Sequence, residues 1–241
     1  MTTTEFTPNM VIQGFTPPLK LSNFKLIAFD MDSTLINIEC IDEIADAAGR
    51  KAEVAAITEA AMRGEITDFK DSLRRRLALL KGVSAESLEA VYTQRLQINP
   101  GAKELIDACQ KVGMKVLLVS GGFTYFADKV KQRLNIDFAK SNLLEIQNGK
   151  LTGKLITQSW GEICDGEEKR RTVLSTCEEL GINPAQAIAM GDGANDLPMM
   201  KLCSDAGGLS VAYHAKPKVR EQAMVAINAG GLDTLLQVFV T

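Results

Sequence analysis

The sequence predicts an α/β fold in which a parallel, Rossmann-like sheet is sandwiched between helices, and three observations favour it. Short apolar runs rich in branched residues alternate with helical patterns along most of the chain. A long stretch after the first run has helical patterns but no strand pattern, and polar clusters follow several runs directly. Such alternation is typical of parallel sheets, whose strands are buried on both faces and joined by helical crossovers.

The predicted strands and helices follow one another in regular order. Four apolar runs are predicted to be buried strands: 24–29, 115–119, 187–190 and 209–212. The predicted crossover helices cover residues 102–112, 125–134, 168–180 and 197–202. Asn148 and Gly149 lie between the strand patterns 143–147 and 150–156, and Asn-Gly is the strongest short hairpin signal. A small β-hairpin is therefore expected as an addition to the sheet.

A stretch of helical patterns separates the first predicted strand from the second. Apolar residues recur there at helical spacing in four segments, and Asn99-Pro100-Gly101 then marks the return to the sheet. We therefore expect two domains. The catalytic α/β core would comprise residues 1–38 and 97–241, and an inserted four-helix cap would comprise residues 39–96.

Composition and charge limit the classes of partner. The 241 residues are 46% hydrophobic, which is enough for a large core. Lys and Arg number 27 against 30 Asp and Glu, so the net charge of −3 provides no basic field for nucleic acid or an anionic membrane. No apolar stretch approaches the ~18 residues of a membrane span, and a signal-peptide pattern is lacking. We expect a cytoplasmic protein, a monomer or homodimer, whose partners are small molecules or proteins.

The cysteines do not predict a disulfide framework or a zinc site. There are five, an odd number, and none forms a Cys-x-x-Cys pair. Cys164 and Arg170 match the bare spacing of cysteine-dependent phosphatases. Three acidic residues between them, however, oppose the lowered thiol pKa that such a nucleophile requires. We therefore expect reduced thiols without a catalytic role.

Three polar clusters each follow a predicted parallel strand. They are DMDST (residues 30–34), SGG (residues 120–122) and GDGAND (residues 191–196). The carboxyl ends of parallel strands form the binding crevice of an open α/β sheet, so these clusters are expected to converge on one site. Each motif alone also occurs in ordinary turns and helix caps, whereas their combination favours a functional site.

The chemistry of these clusters favours a metal ion and a phosphate group. Asp30, Asp32, Asp192 and Asp196 would bring up to four carboxylates together, which a cation or protonation must offset. Oxygen ligands without histidine or paired cysteines are typical of Mg²⁺, which also binds phosphate oxygens. Ser120 and the N–H groups of the glycines after it, at a predicted helix start, would cradle the phosphate.

The three motifs, with Lys169 between the second and third and a helical insertion after the first, resemble the haloacid dehalogenase-like phosphatases. Within that superfamily the chain is similar to the enzymes that act on phosphoserine, and the resemblance covers the chain from about residue 24 onward. It implies Mg²⁺-dependent hydrolysis of O-phosphoserine, a small phosphomonoester, through an aspartyl-phosphate intermediate. This reaction is the last step of serine biosynthesis.

The resemblance also implies a role for each residue at the strand ends. Asp30 would be the nucleophile, and Asp32 the general acid and then the base. Mg²⁺ would be bound by the Asp30 carboxylate, the backbone carbonyl of Asp32 and Asp192, with Asp196 supporting the metal site. The residues that hold the phosphoryl oxygens would be Ser120, Gly121, Lys169 and Asn195.

Further roles fall on the insertion. By resemblance, Glu39 would bind the ammonium group of the substrate and Arg76 its carboxylate, with Met62 and Phe69 as apolar pocket walls. Helical spacing independently places Arg76 on the apolar face of its helix, unlike the two arginines before it. An arginine on an apolar face requires an anion, which is either the substrate or an acidic residue of another insertion helix.

Three other functions remain open at the level of sequence. A phosphotransferase that passes the phosphoryl group to another alcohol, or a phosphatase for another small phosphomonoester such as phosphohomoserine, would carry the same motifs. A non-enzymatic protein that binds a phosphorylated ligand could also retain the fold. Such a binder, however, has no use for the second carboxylate of the pair, Asp32.

Overall fold

The computed structural model describes residues 3–62 and 65–240. Its strands are β1 (Thr3–Thr7), β2 (Met10–Gln13), β3 (Leu19–Lys20), β4 (Leu26–Phe29), β5 (Lys115–Phe123), β6 (Phe138–Gln147), β7 (Lys150–Ile156), β8 (Ala187–Gly191), β9 (Leu209–Tyr213), β10 (Val225–Ile227) and β11 (Phe239–Val240). Its α-helices are α1 (Cys40–Ala47), α2 (Lys51–Met62), α3 (Phe69–Leu79), α4 (Glu86–Gln94), α5 (Ala102–Lys111), α6 (Thr124–Leu134), α7 (Gly166–Glu179), α8 (Leu197–Ala206) and α9 (Pro217–Gln222).

The main sheet is parallel at its centre. Among the described residues, nine strands form it in the order β1-β2-β10-β9-β8-β4-β5-β6-β7. Strands β10, β9, β8, β4, β5 and β6 are parallel neighbours, whereas β1, β2 and β7 pair antiparallel at the two edges. The predicted parallel α/β sheet is confirmed. All four residues of β4, at its centre, are buried.

Both faces of the central sheet are covered by apolar side chains. Ile27 and Phe29 of β4 belong to one cluster of buried residues, and the alternating Leu26 and Ala28 belong to a second. This alternation arises because successive side chains of a strand point to opposite faces. The first cluster continues into the helices of the insertion, so one apolar core joins the insertion to the sheet.

The prediction for the SGG motif needs a correction. The second predicted strand, 115–119, continues in the structure through Ser120-Gly121-Gly122 to Phe123, and α6 begins only after it. The register with β6 shifts between Val119 and Phe123, so the motif forms a bulge within the pair. A bulge leaves backbone N–H groups outside the regular ladder. The motif can therefore offer these donors without being a helix start.

The hairpin prediction is confirmed, whereas strands near both chain ends were missed. β6 and β7 pair antiparallel around Asn148 and Gly149, both of which have positive φ. β1 and β2 form a hairpin whose second strand pairs with β10, and β3 pairs with β11. β3 and β11 have only two residues each, and β1 is mostly polar, so these strands show no clear strand pattern in the sequence.

The predicted helical insertion is present between β4 and β5 and consists of α1 to α4. The segments that enter and leave it lie side by side and form a bridge between Ile36 and Ile98. The side-chain amide of Asn99 donates hydrogen bonds of 2.8 Å to the Thr34 carbonyl and 3.1 Å to the Ile36 carbonyl. Asn99 therefore ties the two connecting segments together.

Of the helices in residues 3–62 and 65–240, none has both the length and the apolar character that crossing a membrane requires.

We expect Asn99→Ala to lower the free energy of unfolding by about 1–3 kcal/mol, because two carbonyls lose a donor that lies in a partly buried place. Urea unfolding measures the change. Gln94→Ala, an exposed position at the end of α4, is the control and is expected to unfold like the unsubstituted protein. Equal stability of the Asn99 variant and this control would show that the hydrogen bonds of Asn99 between the two connecting segments do not stabilise the fold.

Candidate active site

The carboxyl end of β4 presents two acidic side chains to different surroundings. Asp30 follows the strand in an extended conformation (φ −68°, ψ 162°), and Ser33 then adopts the left-handed region with φ of 57°. The carboxylate of Asp30 reaches Lys169 of α7, whereas that of Asp32 reaches Cys40 at the start of α1. The sharp turn at Ser33 brings the chain from the sheet into the insertion.

Lys169 lies at the centre of a buried charge cluster. Its Nζ atom is 2.7 Å from Oδ1 of Asp30 and 2.6 Å from Oδ1 of Asp196, and these side chains are at most 7% exposed. The Asp165 side chain caps α7 by accepting a hydrogen bond of 2.8 Å from the Glu168 N–H. This cap sets the first turn of the helix, which places Lys169 against the sheet.

The loop after β8 is organised by Asp196. Its Oδ2 atom accepts hydrogen bonds from the backbone N–H groups of Asp192 (3.1 Å) and Gly193 (3.0 Å), while Oδ1 accepts one from Lys169. A Cβ atom on Gly191 would lie 2.3 Å from the carboxyl carbon of Asp196, so no side chain fits there. Because both of its oxygens accept hydrogen bonds, Asp196 holds Lys169 and the loop after β8 in place.

Three carboxylates at the strand ends are close enough to share a cation. Asp30, Asp192 and Asp196 each offer one oxygen atom within 4.8 Å of the other two. These oxygens fit a hard divalent cation such as Mg²⁺. The carboxylate of Asp32 is directed elsewhere, and the predicted contribution of its backbone carbonyl remains a prediction.

The pKa values follow from burial and from the neighbouring charges. Burial, with repulsion from Asp196, raises the pKa of Asp30 to about 7 although Lys169 opposes the rise. Burial, with Asp30 and Asp196, raises the pKa of Asp192 to about 8. Burial alone would lower the pKa of Lys169. The negative charges of Asp196 and Asp30 outweigh the effect of burial and raise that pKa. A divalent cation among the carboxylates would lower their pKa values.

Asp32 lies in a different environment, under the first turn of α1. Its Oδ2 atom accepts a hydrogen bond of 3.1 Å from the Cys40 N–H, and its Oδ1 accepts one of 3.2 Å from the Cys40 thiol. Burial, followed by repulsion from Glu39 and Asp30, raises the pKa of Asp32 well above its usual range. A raised pKa suits a carboxyl group to donate a proton as a general acid.

The bulge of β5 lies beside Asp32 and beneath the insertion. The buried Ser120 hydroxyl accepts a hydrogen bond of 2.9 Å from the Gly122 N–H. A Cβ atom on Gly122 would lie 3.1 Å from the Ser120 hydroxyl oxygen and 3.2 Å from Oδ2 of Asp32. One on Gly121 would lie 3.1 Å from the ring of Phe69, at the start of α3. Glycine at these positions therefore lets the backbone approach both neighbours.

Arg76 is the inward-facing arginine of α3, as its helical position predicts. It is partly buried, and its Nε atom is buried without a hydrogen-bond partner. Burial lowers the pKa of Arg76, although Asp42, Glu39 and Asp32 oppose the shift. The predicted alternative, a structural ion pair, is not seen for Arg76 within the part of the chain that the structure describes. The buried Nε atom is thus available to an anionic ligand.

The remaining predicted residues lie around the same site. Glu39 is exposed, and its Oε1 accepts a hydrogen bond of 2.6 Å from the Ser33 hydroxyl. Asn195 is partly buried in the short turn Ala194–Asp196. Phe69 lies over Gly121, whereas the side chain of Met62 falls outside the described part of the structure.

Two residues of this region were not singled out from the sequence. Asn142 is buried in β6, donates a hydrogen bond of 2.7 Å to the Gly121 carbonyl and accepts one of 2.7 Å from the Cys164 N–H. It joins the bulge of β5 to the segment that leads into α7. A polar residue within a strand is a signal that could have found it. Cys40 gave no such signal, because its importance depends on its contact with Asp32.

The structure speaks against a cysteine-dependent phosphatase. Cys164 is buried, and burial raises the pKa of its thiol to about 12. A nucleophilic cysteine needs the opposite, a thiolate that is stabilised near neutral pH. The spacing of Cys164 and Arg170 is therefore a coincidence, as the acidic residues between them indicated.

Curated relatives resemble the chain over nearly its full length. A protein of Polaromonas sp. (strain JS666 / ATCC BAA-500), named phosphoserine phosphatase, is 68% identical over 98% of this chain and 99% of the relative. A protein of the same name from Albidiferax ferrireducens is 65% identical over 98% of each chain.

Solved structures and a family model agree with these relatives. A structure described as a substrate-bound phosphoserine phosphatase complex superposes with a TM-score of 0.80 at 39% identity, covering 90% of this chain and 99% of the other. Another, described as a phospho-aspartyl intermediate analogue of phosphoserine phosphatase, has the same TM-score and coverage at 40% identity. The model of the haloacid dehalogenase-like hydrolases matches residues 27–201. The chain belongs to the haloacid dehalogenase-like hydrolase family.

Proposed function

We propose that the protein hydrolyses O-phosphoserine to serine and phosphate. The observation that carries this proposal is the buried contact of Lys169 with Asp30 and Asp196 beside Asp192, at the carboxyl ends of the central strands. An acidic nucleophile beside a fixed positive charge suits phosphoryl transfer, in which charge develops on the phosphoryl oxygens. The substrate assignment is supported by the full-length relatives named phosphoserine phosphatase.

In the first step, a carboxylate oxygen of Asp30 attacks phosphorus in line and forms an aspartyl-phosphate. The bond between phosphorus and the serine oxygen breaks, and Asp32 donates its proton to that oxygen. In the second step, Asp32 accepts a proton from water as the water oxygen attacks phosphorus. The bond to Asp30 then breaks and phosphate leaves. A related solved structure described as a phospho-aspartyl intermediate analogue supports this route.

The phosphoryl group is held by residues of α7, of the bulge in β5 and of the loop after β8. Lys169 orients Asp30 and adds positive charge from a buried position. Ser120 and Gly121 offer the hydroxyl and backbone groups of the bulge, and Asn195 offers its amide from the loop after β8. Fixed donors of this kind stabilise the transition state without having to reorganise.

We also propose that Mg²⁺ is the cofactor. The Asp30 carboxylate, the Asp32 backbone carbonyl and Asp192 would hold it, with Asp196 supporting the site through its hydrogen bonds to the loop. The oxygen-only donor set fits this cation. When bound, Mg²⁺ would stabilise negative charge on the phosphoryl oxygens as a Lewis acid.

Residues 39–96 are proposed to form a cap over a core of residues 1–38 and 97–241. Besides the contact of Phe69 with Gly121, α3 forms two ion pairs with the segment before α7. Lys70 lies 3.1 Å from Asp165 and Arg74 lies 2.8 Å from Glu162. Such a cap would enclose the substrate and exclude water.

Within this cap, two residues are proposed to bind the amino-acid part of the substrate. Arg76 would bind the carboxylate through its guanidinium, whose Nε atom is buried without a partner, and Glu39 would bind the ammonium group. The hydrogen bond from Ser33 holds Glu39 near the site. A cytoplasmic location, and a monomeric or homodimeric state, are proposed together with this function.

Phosphate release from a panel of phosphomonoesters, with Mg²⁺ and with EDTA, tests the function. We expect metal-dependent hydrolysis that favours O-phosphoserine and falls at least about 10³-fold in Asp30→Asn, because the nucleophile is lost. Asp107→Asn, an exposed carboxylate paired with Lys103, is the control and should keep its activity. Equal rates on sugar phosphates would contradict the substrate assignment. Phosphoryl transfer to added homoserine in place of hydrolysis would favour the phosphotransferase.

We expect Arg76→Ala to lower kcat/KM for O-phosphoserine about 10- to 100-fold, mainly through KM, because a charge-assisted contact to the carboxylate is lost. Steady-state kinetics measure the change. Arg75→Ala on the same helix is the matched control, since Arg75 is exposed and pairs with Asp71. Equal effects of the two substitutions would show that Arg76 does not bind the substrate.

We expect Lys169→Met to lower the free energy of unfolding in EDTA by about 3–5 kcal/mol, because two buried carboxylates lose their counter-charge. Urea unfolding measures the loss, and Mg²⁺ should recover part of it by replacing the missing charge. Lys201→Met removes an exposed lysine that pairs with Asp205 and serves as the control. Unchanged stability of the Lys169 variant would refute the compensating role of this lysine.

A further inference from the structure

Cys40 makes two contacts with the proposed general acid. It is the first residue of α1 and is fully buried. Its backbone N–H donates to Oδ2 of Asp32 at 3.1 Å, and its thiol donates to Oδ1 at 3.2 Å. One residue of the insertion therefore supplies a donor to each oxygen of this carboxyl group.

The arrangement follows from how α1 begins. The first N–H groups of a helix have no partner within the helix, and a side chain at the N-cap usually accepts from one of them. Here the N-cap residue is Glu39, and its side chain makes no capping bond. The Ser33 hydroxyl donates to it instead. Asp32 takes the place of the capping side chain, at the positive end of the helix.

Two donors on one carboxyl group fix its orientation. A carboxyl group held by one hydrogen bond can still rotate about the bond to its β-carbon, whereas a second bond to the other oxygen opposes this rotation. The Gly122 backbone also lies against this carboxyl group, since a Cβ there would be 3.2 Å from Oδ2. The direction of the Asp32 carboxyl group is thus determined by Cys40 and the bulge of β5.

We propose that Cys40 is a positioning residue that aims Asp32 at the leaving oxygen of the substrate. The inference rests on the proposed function. As the bond between phosphorus and the serine oxygen breaks, the proton of Asp32 moves to that oxygen and leaves a carboxylate. The S–H and N–H bonds of Cys40 stay intact, and both then donate to the carboxylate, so it forms in a place already supplied with donors.

Leaving groups that differ in their need for a proton test this role. Serine would leave O-phosphoserine as an unstable alkoxide unless Asp32 protonates its oxygen. The leaving group of p-nitrophenyl phosphate is p-nitrophenolate, which is a stable anion and needs no proton. Asp32 also acts in the second step, so leaving-group release should be measured in a single turnover with enzyme in excess. This measurement isolates the first step for both substrates.

In Cys40→Ala, which keeps the N–H donor but loses the thiol, serine release should slow about tenfold, a part of what a general acid contributes. Release of p-nitrophenolate should stay within about twofold, as should the enzyme concentration that half-saturates the single turnover of O-phosphoserine, because neither depends on proton donation. Cys40→Ser supplies a hydroxyl donor and should restore serine release to within about threefold of the unsubstituted rate.

Two variants control for the loss of volume. Cys109→Ala removes another buried thiol, in α5, and should leave both rates unchanged. Cys40→Val fills the space without offering a donor, so it should show the same selective loss as Cys40→Ala, and it carries the comparison if the alanine variant does not fold. Equal slowing of both leaving groups would indicate a structural role only. Unchanged serine release, or no recovery in Cys40→Ser, would also overturn the proposal.

Failure of the proposed function gives a different result. Serine would then not be released from O-phosphoserine by the unsubstituted protein, although p-nitrophenolate would be. The comparison of Cys40 variants would in that case be repeated with another alkyl phosphate. Asp32→Asn serves as the reference for a lost acid and should slow release of the alkyl leaving group selectively.

Discussion

The buried contact between Lys169 and the carboxylates of Asp30 and Asp196 is the constraint on which the rest of the site depends. Each of these charges would lose several kcal/mol of hydration on burial, so they are stable there only as a group. Holding the group together requires the end of β4, the start of α7 and the loop after β8 to meet at one point. The parallel order of the central strands provides that point, because their carboxyl ends lie at one edge.

The two carboxyl groups after β4 form hydrogen bonds or ion pairs with different parts of the chain. Asp30 is held by Lys169, which belongs to the helices of the sheet, whereas Asp32 is held by Cys40, which begins the insertion. The proposed nucleophile is thereby fixed to the sheet, and the proposed general acid is fixed to the helices of the insertion. The left-handed residue Ser33 makes this division possible, because it turns the chain between them.

Much of the fold could be predicted because long periodic segments carry a strong signal. The central strands, the crossover helices, the four insertion helices and the Asn148-Gly149 hairpin all follow from residue patterns. The SGG motif was misplaced at a helix start, because a bulge is a property of the strand pair and leaves no periodic trace in one strand. The hairpin of β1 and β2 was missed because β1 is mostly polar, and such strands gain their stability from pairing with neighbours.

The sequence by itself determined which residue types meet at the site, since motifs that follow parallel strands must converge at one edge of the sheet. It also determined that Arg76 faces inward, because helical spacing alone sets that direction. Only the tertiary structure decided that Asp196 accepts hydrogen bonds at both oxygens and that Cys40 and Asn142 belong to the site. These facts depend on distances between segments far apart in the chain, and residue order does not specify such distances.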